Sequence, residues 1–478
     1  ETKDIKRIVK NILVMVFGDI VGKILTLIFL VYTARYLQVE GYGILSFALA
    51  FTSLFYVFSD LGFFEVTVRE VARDHEKAAK LTGNVLILKV IITALGYGLM
   101  IFIVNTLGYP IQTITVVYIV GISMILDTFS LTFSAIFRAF EKLEYDSIGK
   151  ILRNSILVVG ALAAIKMKAG LIWFATLYLI SSMIWLILSL LILIKNFVKP
   201  KFDVDLSFWM LLIKEGVPFW ATSVLLTVYY RIDIVMLSVM DGNFAVGLYS
   251  AAYRLITSLN FIPVAFIAAI FPVTSRLYIS SRESLKLAFE KSFKYISIIA
   301  VYIAIVIILL SGKIIYRLYG LNYLPSASVL QILTLSEIIF FTTIIFANLL
   351  NSINRQIICT YQVAIAATLN IVLDYVLIPK YSYIGASFAT VLTDLFSFVF
   401  LYVWIMRSEY RLPRGIFLDL GKIFFAAFLV GVFVKYFYNY SIFTVVPLSL
   451  LVYLLLINML KVFDKTDKAL IKAFIRNV

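Results

Sequence analysis

Long hydrophobic stretches dominate this chain and decide what it can fold into. A window of about 19 residues moved along the sequence finds fourteen stretches long enough to cross a membrane as helices. Apolar residues fill 62% of the 478 positions and charged residues 14%, whereas soluble domains are about one quarter charged. The sequence therefore predicts an all-α polytopic membrane protein and excludes a soluble enzyme. The predicted helices span residues 12–36, 43–66, 83–106, 112–138, 148–168, 171–195, 212–240, 246–274, 292–312, 327–350, 357–379, 384–407, 419–438 and 442–462.

The lysines and arginines of the connecting loops predict how these helices are oriented. The loops and termini on one side of the membrane carry thirty basic residues, and those on the other side carry seven. Because basic loops stay in the cytoplasm, both termini are expected on the cytoplasmic side of the plasma membrane. The same asymmetry accounts for most of the net charge of +15, so nucleic acid is not expected as a partner.

Residue types that carry catalysis or bind metals are scarce. The chain has one cysteine, Cys359, and one histidine, His75, so it offers neither an internal disulfide nor a cluster of Cys and His metal ligands. It also lacks a phosphate-binding loop pattern and a nucleophile-base set. We expect no enzymatic activity, no metal and no cofactor, and the missing phosphate-binding loop excludes direct ATP hydrolysis.

Two short internal repeats indicate that the chain contains two similar halves. Residues 41–48 resemble residues 245–252 at an offset of 204, and residues 170–176 resemble residues 385–390 at an offset near 215. Both repeats lie at matching places in predicted helices one to six and seven to twelve. The halves are therefore expected to share one topology about an axis near the membrane normal, with a central cavity between them. The predicted parts are an N-terminal lobe at 1–200, a C-terminal lobe at 201–410, and two additional helices with a basic cytoplasmic tail at 411–478.

Several short motifs occur in the order typical of one transporter family. They are Thr33-Ala-Arg-Tyr-Leu-Gln-Val-Glu-Gly-Tyr-Gly43, Phe58-Ser-Asp-Leu-Gly62, Val68-Arg-Glu70, Tyr230-Arg-Ile-Asp233, Gly247-Leu-Tyr-Ser-Ala-Ala-Tyr-Arg254, Asn370-Ile-Val-Leu-Asp-Tyr-Val-Leu-Ile-Pro379 and Gly385-Ala-Ser-Phe-Ala-Thr390. Together they resemble polysaccharide and oligosaccharide-lipid flippases of the Wzx type, in the multidrug/oligosaccharidyl-lipid/polysaccharide (MOP) exporter superfamily. The resemblance implies two six-helix lobes in a V around a central cavity, and alternating access that turns a lipid-linked sugar across the membrane. The chain departs from the family at two outer turns: Gln38-Val39 stands where the family usually has a small residue or glycine, and Tyr381-Ser382-Tyr383 contains no glycine.

Basic residues inside the hydrophobic helices are the predicted substrate-binding residues. A charge near the bilayer centre costs at least about 2.5 kcal/mol, so it usually faces protein or a water-filled cavity. Lys23, Arg231 and Arg254 are predicted to bind the diphosphate of a lipid-linked substrate, and Arg35 is a further candidate at the outer end of the first helix. Structural roles are the alternative: Lys23 can pair with Asp19 four residues earlier, and the arginines can pair with other acids or anchor an interface.

Acidic residues in the same helices are predicted to couple transport to an ion gradient. The candidates are Asp19, Asp127, Asp233 and Asp394. A deeply placed carboxylate can take up a proton or bind sodium. Each can instead neutralise a basic side chain, as Asp233 would by pairing with Arg254. Other acids, including Glu337 and Asp374, lie nearer the helix ends and are weaker candidates.

These features predict a flippase that accepts a polyprenyl-linked oligosaccharide or polysaccharide precursor in an inward-open cavity and releases it outward. Membrane lipids and H+ or Na+ are its other expected partners. One alternative is an ion-coupled multidrug antiporter of the same superfamily, and another is a membrane scaffold that transports nothing. A positive cavity favours the flippase, an acidic one the antiporter, and a closed dry core the scaffold. The basic stretch 461–476 is expected to lie along anionic headgroups or to form a solvated tail.

Overall fold

The computed structural model describes the backbone of residues 2–464 and 467, and the side chains of that part from residue 15 onward except those of residues 16 and 207. Short turns connect fourteen α-helices, and no β-strand occurs among the described residues. The prediction of an all-α fold is confirmed. The helices are α1 (Thr2–Tyr56), α2 (Phe63–Arg73), α3 (Ala78–Thr106), α4 (Ile111–Ala139), α5 (Leu143–Lys166), α6 (Leu171–Asn196), α7 (Leu206–Asp241), α8 (Asn243–Leu259), α9 (Phe261–Ser280), α10 (Arg282–Tyr319), α11 (Ser326–Ser352), α12 (Gln356–Met406), α13 (Arg414–Tyr436) and α14 (Ile442–Met459).

Twelve helical stretches in the described part are long and apolar enough to cross a membrane. Two of them are too long for one crossing, because α1 has 55 residues and α12 has 51, whereas about 20 residues suffice. Each contains one residue with non-helical backbone angles, Gln38 in α1 and Ser382 in α12. Divided at these residues, the twelve stretches give fourteen crossing segments within the described part, which agrees with the sequence prediction.

The two breaks lie at the two turns where the chain departs from the family pattern. Gln38 has a φ of 61° and Ser382 a φ of 55°, in the left-handed region that favours glycine. Each side chain makes a hydrogen bond at its turn: Gln38 Nε2 donates to the carbonyl of Arg35 at 2.7 Å, and the Ser382 hydroxyl donates to Asp241. These bonds offset part of a backbone cost of about 1–2 kcal/mol per residue. Polar side chains therefore make these turns without glycine.

The second predicted helix, 43–66, ends earlier than expected. α1 stops at Tyr56, and the chain then turns at Leu61 and Gly62, which have φ values of 45° and 76°. The short amphipathic helix α2 follows with its apolar face buried. Gly62 lies against the backbone of Gly216, at a place where no Cβ would fit. Hydropathy could not reveal this break, because a long-range backbone contact determines it.

The chain divides into two compact units. Unit 1 comprises Glu1–Ala251 and Asn370–Ala386, and unit 2 comprises Ala252–Leu369 and Ser387–Val478. Within unit 1, α1 packs against α4, α5 and α7, and α4 packs against α6. Small residues allow the close approach of α1 to α5: Gly18 lies against Ser147, and the carbonyl of Gly22 accepts a hydrogen bond from Asn154 Nδ2 at 3.2 Å.

The internal repeat predicted at an offset of 204 forms a reciprocal contact inside unit 1. This offset relates Val39 to Asn243 and Gly43 to Gly247. A Cβ on Gly43 would collide with the carbonyl of Asn243, and a Cβ on Gly247 would collide with the carbonyl of Val39. Gly43 meets Asn243, and its equivalent Gly247 meets Val39, the equivalent of Asn243. The two contacts are therefore the same contact made once by each repeat, as in a two-fold symmetric interface.

Unit 2 has an aromatic core between α10, α11 and the second half of α12. The rings of Phe293 and Phe346 stack there with centroids 5.4 Å apart. The two additional helices, α13 and α14, pack on α10 through a separate apolar cluster that includes Val430 and Tyr453. Unit 2 therefore consists of a core group of helices with α13 and α14 added along one of them.

The chain beyond α14 returns to α10. Asp467 is fully buried, and its carboxylate lies 2.7 Å from Lys291 Nζ and forms a second ion pair with Lys294. Beyond residue 464 and apart from Asp467, the predicted amphipathic tail 461–476 lies outside the described residues.

Candidate functional site

Two buried carboxylates interact inside unit 1, Asp233 on α7 and Asp374 on α12. Asp233 is 4% exposed and Asp374 is fully buried. The hydroxyl of Tyr249 on α8 donates to Asp233 Oδ2 at 2.7 Å. One helical turn before Asp374, Asn370 contributes a buried side-chain oxygen that has no hydrogen-bond partner among the described residues. Three helices thus bring the side chains of Asp233, Tyr249 and Asp374 together, and Asn370 adds an unsatisfied oxygen one helical turn away.

This group of oxygens suits a small cation. Two carboxylates in a low-dielectric interior repel each other unless a proton or a cation compensates them. Carboxylate and amide oxygens are the hard ligands that Na+ and similar ions prefer. The described residues contain no cluster of three or more His, Cys, Asp or Glu side chains of the kind that holds a metal ion. With only two carboxylates, the group is suited to a proton or a monovalent ion.

A second pair of interacting carboxylates lies in unit 2, where Glu337 of α11 meets Asp394 of α12. Both residues are 6% exposed. The hydroxyl of Ser336 donates to Asp394, and the amide of Asn260, turned so that it donates, lies 3.1 Å from Glu337 Oε2. This pair, like the first, can share a proton or a cation.

The two aspartates predicted for ion coupling in the N-terminal helices have basic partners on α5. Asp19 Oδ1 lies 2.7 Å from Lys150 Nζ, and Asp127 Oδ2 lies 2.5 Å from an Arg153 guanidinium nitrogen. Asp19 also interacts electrostatically with Lys23, but its direct ion pair is with Lys150. Of the two roles that the sequence leaves open for these aspartates, the geometry favours neutralisation of a basic side chain.

A charged cavity of about 310 Å³ lies beside these ion pairs in unit 1. Its charged lining consists of Asp127, Arg138, Asp146, Lys150 and Arg153. Arg138 pairs with Asp146 at 2.6 Å, so each acid of the lining is matched to a basic neighbour. The third basic residue of the lining, Lys150, pairs with Asp19 outside the lining. Each charged residue of the lining therefore has an oppositely charged partner, and the cavity lacks the uncompensated positive charge that a diphosphate requires.

A fully buried lysine adds another ion pair to unit 1. Lys89 on α3 is 0% exposed, and its Nζ lies 2.6 Å from Asp60 Oδ1 and donates to the carbonyl of Thr128 at 2.9 Å. Such a buried ion pair costs several kcal/mol in desolvation of each ion, which the attraction and the added hydrogen bond offset. Lys89 and Asp60 therefore have a structural role.

Arg254 on α8 has the clearest unmet bonding requirement among the predicted substrate-binding residues. Its side chain is half buried in unit 2, and its Nε is buried without a hydrogen-bond partner. It forms no ion pair within the described residues. Arg231 on α7 is also half buried, whereas Lys23 and Arg35 on α1 are exposed. Because an unsatisfied charged donor inside a membrane helix is costly, Arg254 is placed to gain from an anionic ligand.

Only a small part of the carboxylate pairs can be recognised in the sequence. Asn370 and Asp374 are four residues apart, so they share one face of a helix. Their partner on α7, Asp233, is 141 positions away from Asp374 in the chain, and no local pattern links the two. The pairing of Glu337 with Asp394 is equally non-local, and the position of each residue along its own helix does not reveal it.

Two protein-family models match the chain. The model described as polysaccharide biosynthesis protein matches residues 8–278, and the model MatE matches residues 218–376. An uncharacterized membrane protein of Methanocaldococcus jannaschii is 30% identical over 204 residues. These residues are 42% of this chain and 39% of that protein, so the match spans well under half of the relative.

Solved structures of two transporters share the fold of this chain. The lipid II flippase MurJ, in an inward closed conformation, superposes with a TM-score of 0.77 at 18% identity and covers 94% of this chain and 99% of its own. An inward-facing multidrug resistance MATE family transporter of the MOP superfamily has a TM-score of 0.67 at 14% identity, with coverages of 80% and 94%. At these identities the likeness shows the fold. The matched families and neighbours are transporters and flippases, in agreement with the prediction that the chain is not an enzyme.

Proposed function

The chain belongs to the polysaccharide biosynthesis protein family, within the MOP exporter superfamily, and we propose that it is a flippase for a polyprenyl-linked oligosaccharide or polysaccharide precursor. The protein is a multi-pass membrane transporter. In our proposal it lies in the cytoplasmic membrane with both termini in the cytoplasm. The lobes 1–200 and 201–410 alternate between inward-open and outward-open arrangements while the lipid tail of the substrate stays in the bilayer.

The observation that carries this proposal is the buried Nε of Arg254, which has no hydrogen-bond partner among the described residues. A diphosphate is the invariant part of a varying lipid-linked saccharide, and an arginine binds it through charge-assisted hydrogen bonds. The acid that the sequence offers as its structural partner, Asp233, accepts a hydrogen bond from Tyr249 and interacts with Asp374. We assign Arg254 as the main phosphate-binding residue, with Arg231, Lys23 and Arg35 as further basic contacts.

The carboxylate pair of Asp233 and Asp374 is the proposed coupling site. Uptake of a proton or Na+ between these two groups removes their repulsion and favours the arrangement of α7 and α12 that brings them together. Asp394 with Glu337 is a second candidate for the same role. Asp19 and Asp127, which were also predicted for coupling, are better suited to stabilising the packing of α5 against α1 and α4.

Transport by purified protein in liposomes tests the phosphate-binding role. The substrate is a fluorescent lipid-linked oligosaccharide that an added reagent quenches from outside. Replacing Arg231 and Arg254 together by alanine should slow translocation at least about tenfold, because each charged hydrogen bond is worth roughly 1.5–3 kcal/mol. The matched control is Arg355→Ala, which removes an exposed guanidinium from the connection between α11 and α12. Equal rates for the double variant and the control would refute the phosphate role but leave the family assignment intact.

An ion-coupled multidrug antiporter is the second candidate, and the two buried carboxylate pairs favour it. An organic cation needs acidic partners in its path, and residues 218–376, which match the MatE model, include Asp233, Asp374 and Glu337. The same liposomes distinguish the functions when they are loaded with a fluorescent organic cation under a proton gradient. Accumulation of the cation, lost in Asp374→Asn, together with no flipping of the lipid-linked sugar, would establish the antiporter instead.

A further inference from the structure

A cavity of about 510 Å³ opens in unit 2 between the end of α10 and the beginning of α14. It lies at the end of these helices opposite the Lys- and Arg-rich loops. Two basic side chains, Lys313 and Arg317, line it together with polar and aromatic residues of the turn before α14. No acidic residue is among the described residues that line this cavity. It is therefore a positively charged site that is separate from the carboxylate pairs.

Lys313 is held in place by the turn that it faces. Its Nζ donates to the carbonyls of Tyr438 and Tyr440, the latter at 3.1 Å, and lies 4.3 Å from the ring centroid of Tyr438. An ammonium has three N–H donors, so these two bonds leave one donor for a ligand. Carbonyl acceptors also leave the full positive charge of the lysine in place.

Arg317 and the first turn of α14 strengthen the positive potential. Arg317 follows Lys313 by four residues, so the two charges share one face of α10. α14 begins at Ile442, and Ser441 before it provides no side-chain cap. The first amide groups of a helix lack partners within the helix and attract anions. Two cations and a helix N-terminus therefore act on the same cavity.

The tendency of basic residues to collect on one side of the membrane does not explain why Lys313 and Arg317 lie together in this cavity. The connections predicted from the sequence, with the adjoining helix ends, carry only seven lysines and arginines on this side, against thirty on the other side. Two of the seven, Lys313 and Arg317, line one cavity. Tyr316, Tyr440 and Phe443 also line it and are 56%, 62% and 75% exposed. Such aromatic side chains are typical of the level where lipid headgroups meet the hydrocarbon core.

We propose that this cavity binds the phosphodiester headgroup of an anionic membrane lipid in the leaflet opposite the basic loops. Lys313 and Arg317 bind the phosphate oxygens, and the exposed aromatic side chains lie along the glycerol and the upper acyl chains. A lipid is favoured over a soluble phosphate because these apolar surfaces adjoin the basic groups at the membrane boundary. This proposal does not rest on the proposed transport function.

Native mass spectrometry of the intact purified chain tests the proposal. The protein is released from detergent micelles that contain phosphatidylglycerol or phosphatidylcholine of equal chain length. Arg317→Gln is the test variant, because Arg317 is exposed and its replacement spares the Lys313 bonds that hold the turn. Lys435→Gln is the matched control, since it removes an exposed charge near the same end of unit 2 that does not line the cavity. Thermal melting of each variant confirms that the fold is retained.

We expect wild-type protein and Lys435→Gln to retain phosphatidylglycerol in preference to phosphatidylcholine. Arg317→Gln should bind phosphatidylglycerol about tenfold more weakly, the effect of one lost charge-assisted contact. Unchanged phosphatidylglycerol binding in Arg317→Gln, or equal retention of both lipids by wild-type protein, would overturn the proposal. Displacement of the lipid by millimolar inorganic phosphate would overturn the assignment to a lipid.

Discussion

The glycine contact between the two repeats gives the sharpest stability prediction. A Cβ on Gly247 would lie inside van der Waals contact with the carbonyl of Val39 and 3.0 Å from its Cγ1. Both the carbonyl and the glycine belong to helical backbone, so neither can move without displacing a helix. Overpacking of this kind costs about 1–3 kcal/mol, and a backbone collision belongs at the upper end. We therefore expect Gly247→Ala and Gly43→Ala each to lower the free energy of unfolding by roughly 2–3 kcal/mol.

Gly98→Ala is the matched control for this prediction. Gly98 lies within α3, and a Cβ built on it meets nothing within 4 Å. The same substitution should therefore stabilise the protein by up to about 1 kcal/mol, because alanine has the higher helix propensity. The change in the free energy of unfolding should therefore be negative for Gly43→Ala and Gly247→Ala and positive for Gly98→Ala.

Thermal melting of the detergent-solubilised protein can be followed with a thiol-reactive dye. The chain has a single cysteine, Cys359, and it is partly buried, so it becomes fully reactive on unfolding. Melting temperatures of Gly43→Ala and Gly247→Ala equal to that of Gly98→Ala would refute the close two-fold contact. A large effect at only one of the two glycines would refute its reciprocity.

Three further predictions concern buried charges. Lys89→Met should destabilise the protein by about 3–5 kcal/mol because it leaves Asp60 buried and unpaired. The double variant Lys89→Met with Asp60→Asn should regain much of that lost stability in the same melting assay. Asp374→Asn should abolish the dependence of transport on a proton or sodium gradient while leaving substrate binding intact, which a binding assay and gradient-driven flux measure together. Burial raises the pKa of the Asp467 carboxyl, but hydrogen bonds that include those from Lys291 outweigh it and hold the pKa below its ordinary value. The contact of Asp467 with α10 should thus be fully stable above the ordinary aspartate pKa. It should be lost as pH falls through the lowered pKa of Asp467 in the folded protein, and hydrogen exchange around residue 467 should then become faster at acidic pH.

The sequence predicts the membrane segments well because hydrophobic length is a local property. It also predicts the repeat, since Gly43 and Gly247 occupy equivalent places in similar octapeptides. It does not predict that the second segment ends before Gly62, because the backbone of Gly216 creates that requirement from a distance. Helix count and repeat relation therefore follow from composition and spacing, and the exact helix ends do not.

Predicting the candidate site from the sequence is harder, because a charged residue in a span has a known cost but an unknown partner. Asp127 and Asp394 look alike in the sequence, since both lie near the middle of a hydrophobic helix. In the structure Asp127 pairs with Arg153, whereas Asp394 lies beside another acid, Glu337. These different roles depend on which helices are neighbours, and a single sequence carries no direct record of that.

The most direct test of the proposed function is the flipping of a lipid-linked saccharide by the wild-type protein alone. Liposomes carry the fluorescent substrate in both leaflets, and an external quencher reaches only the outer one. We expect vesicles that contain the protein to lose nearly all of the protected signal, while protein-free vesicles retain their inner-leaflet pool. An inner pool that stays protected in correctly folded, reconstituted protein, with or without a proton or sodium gradient, would contradict the assignment as a flippase.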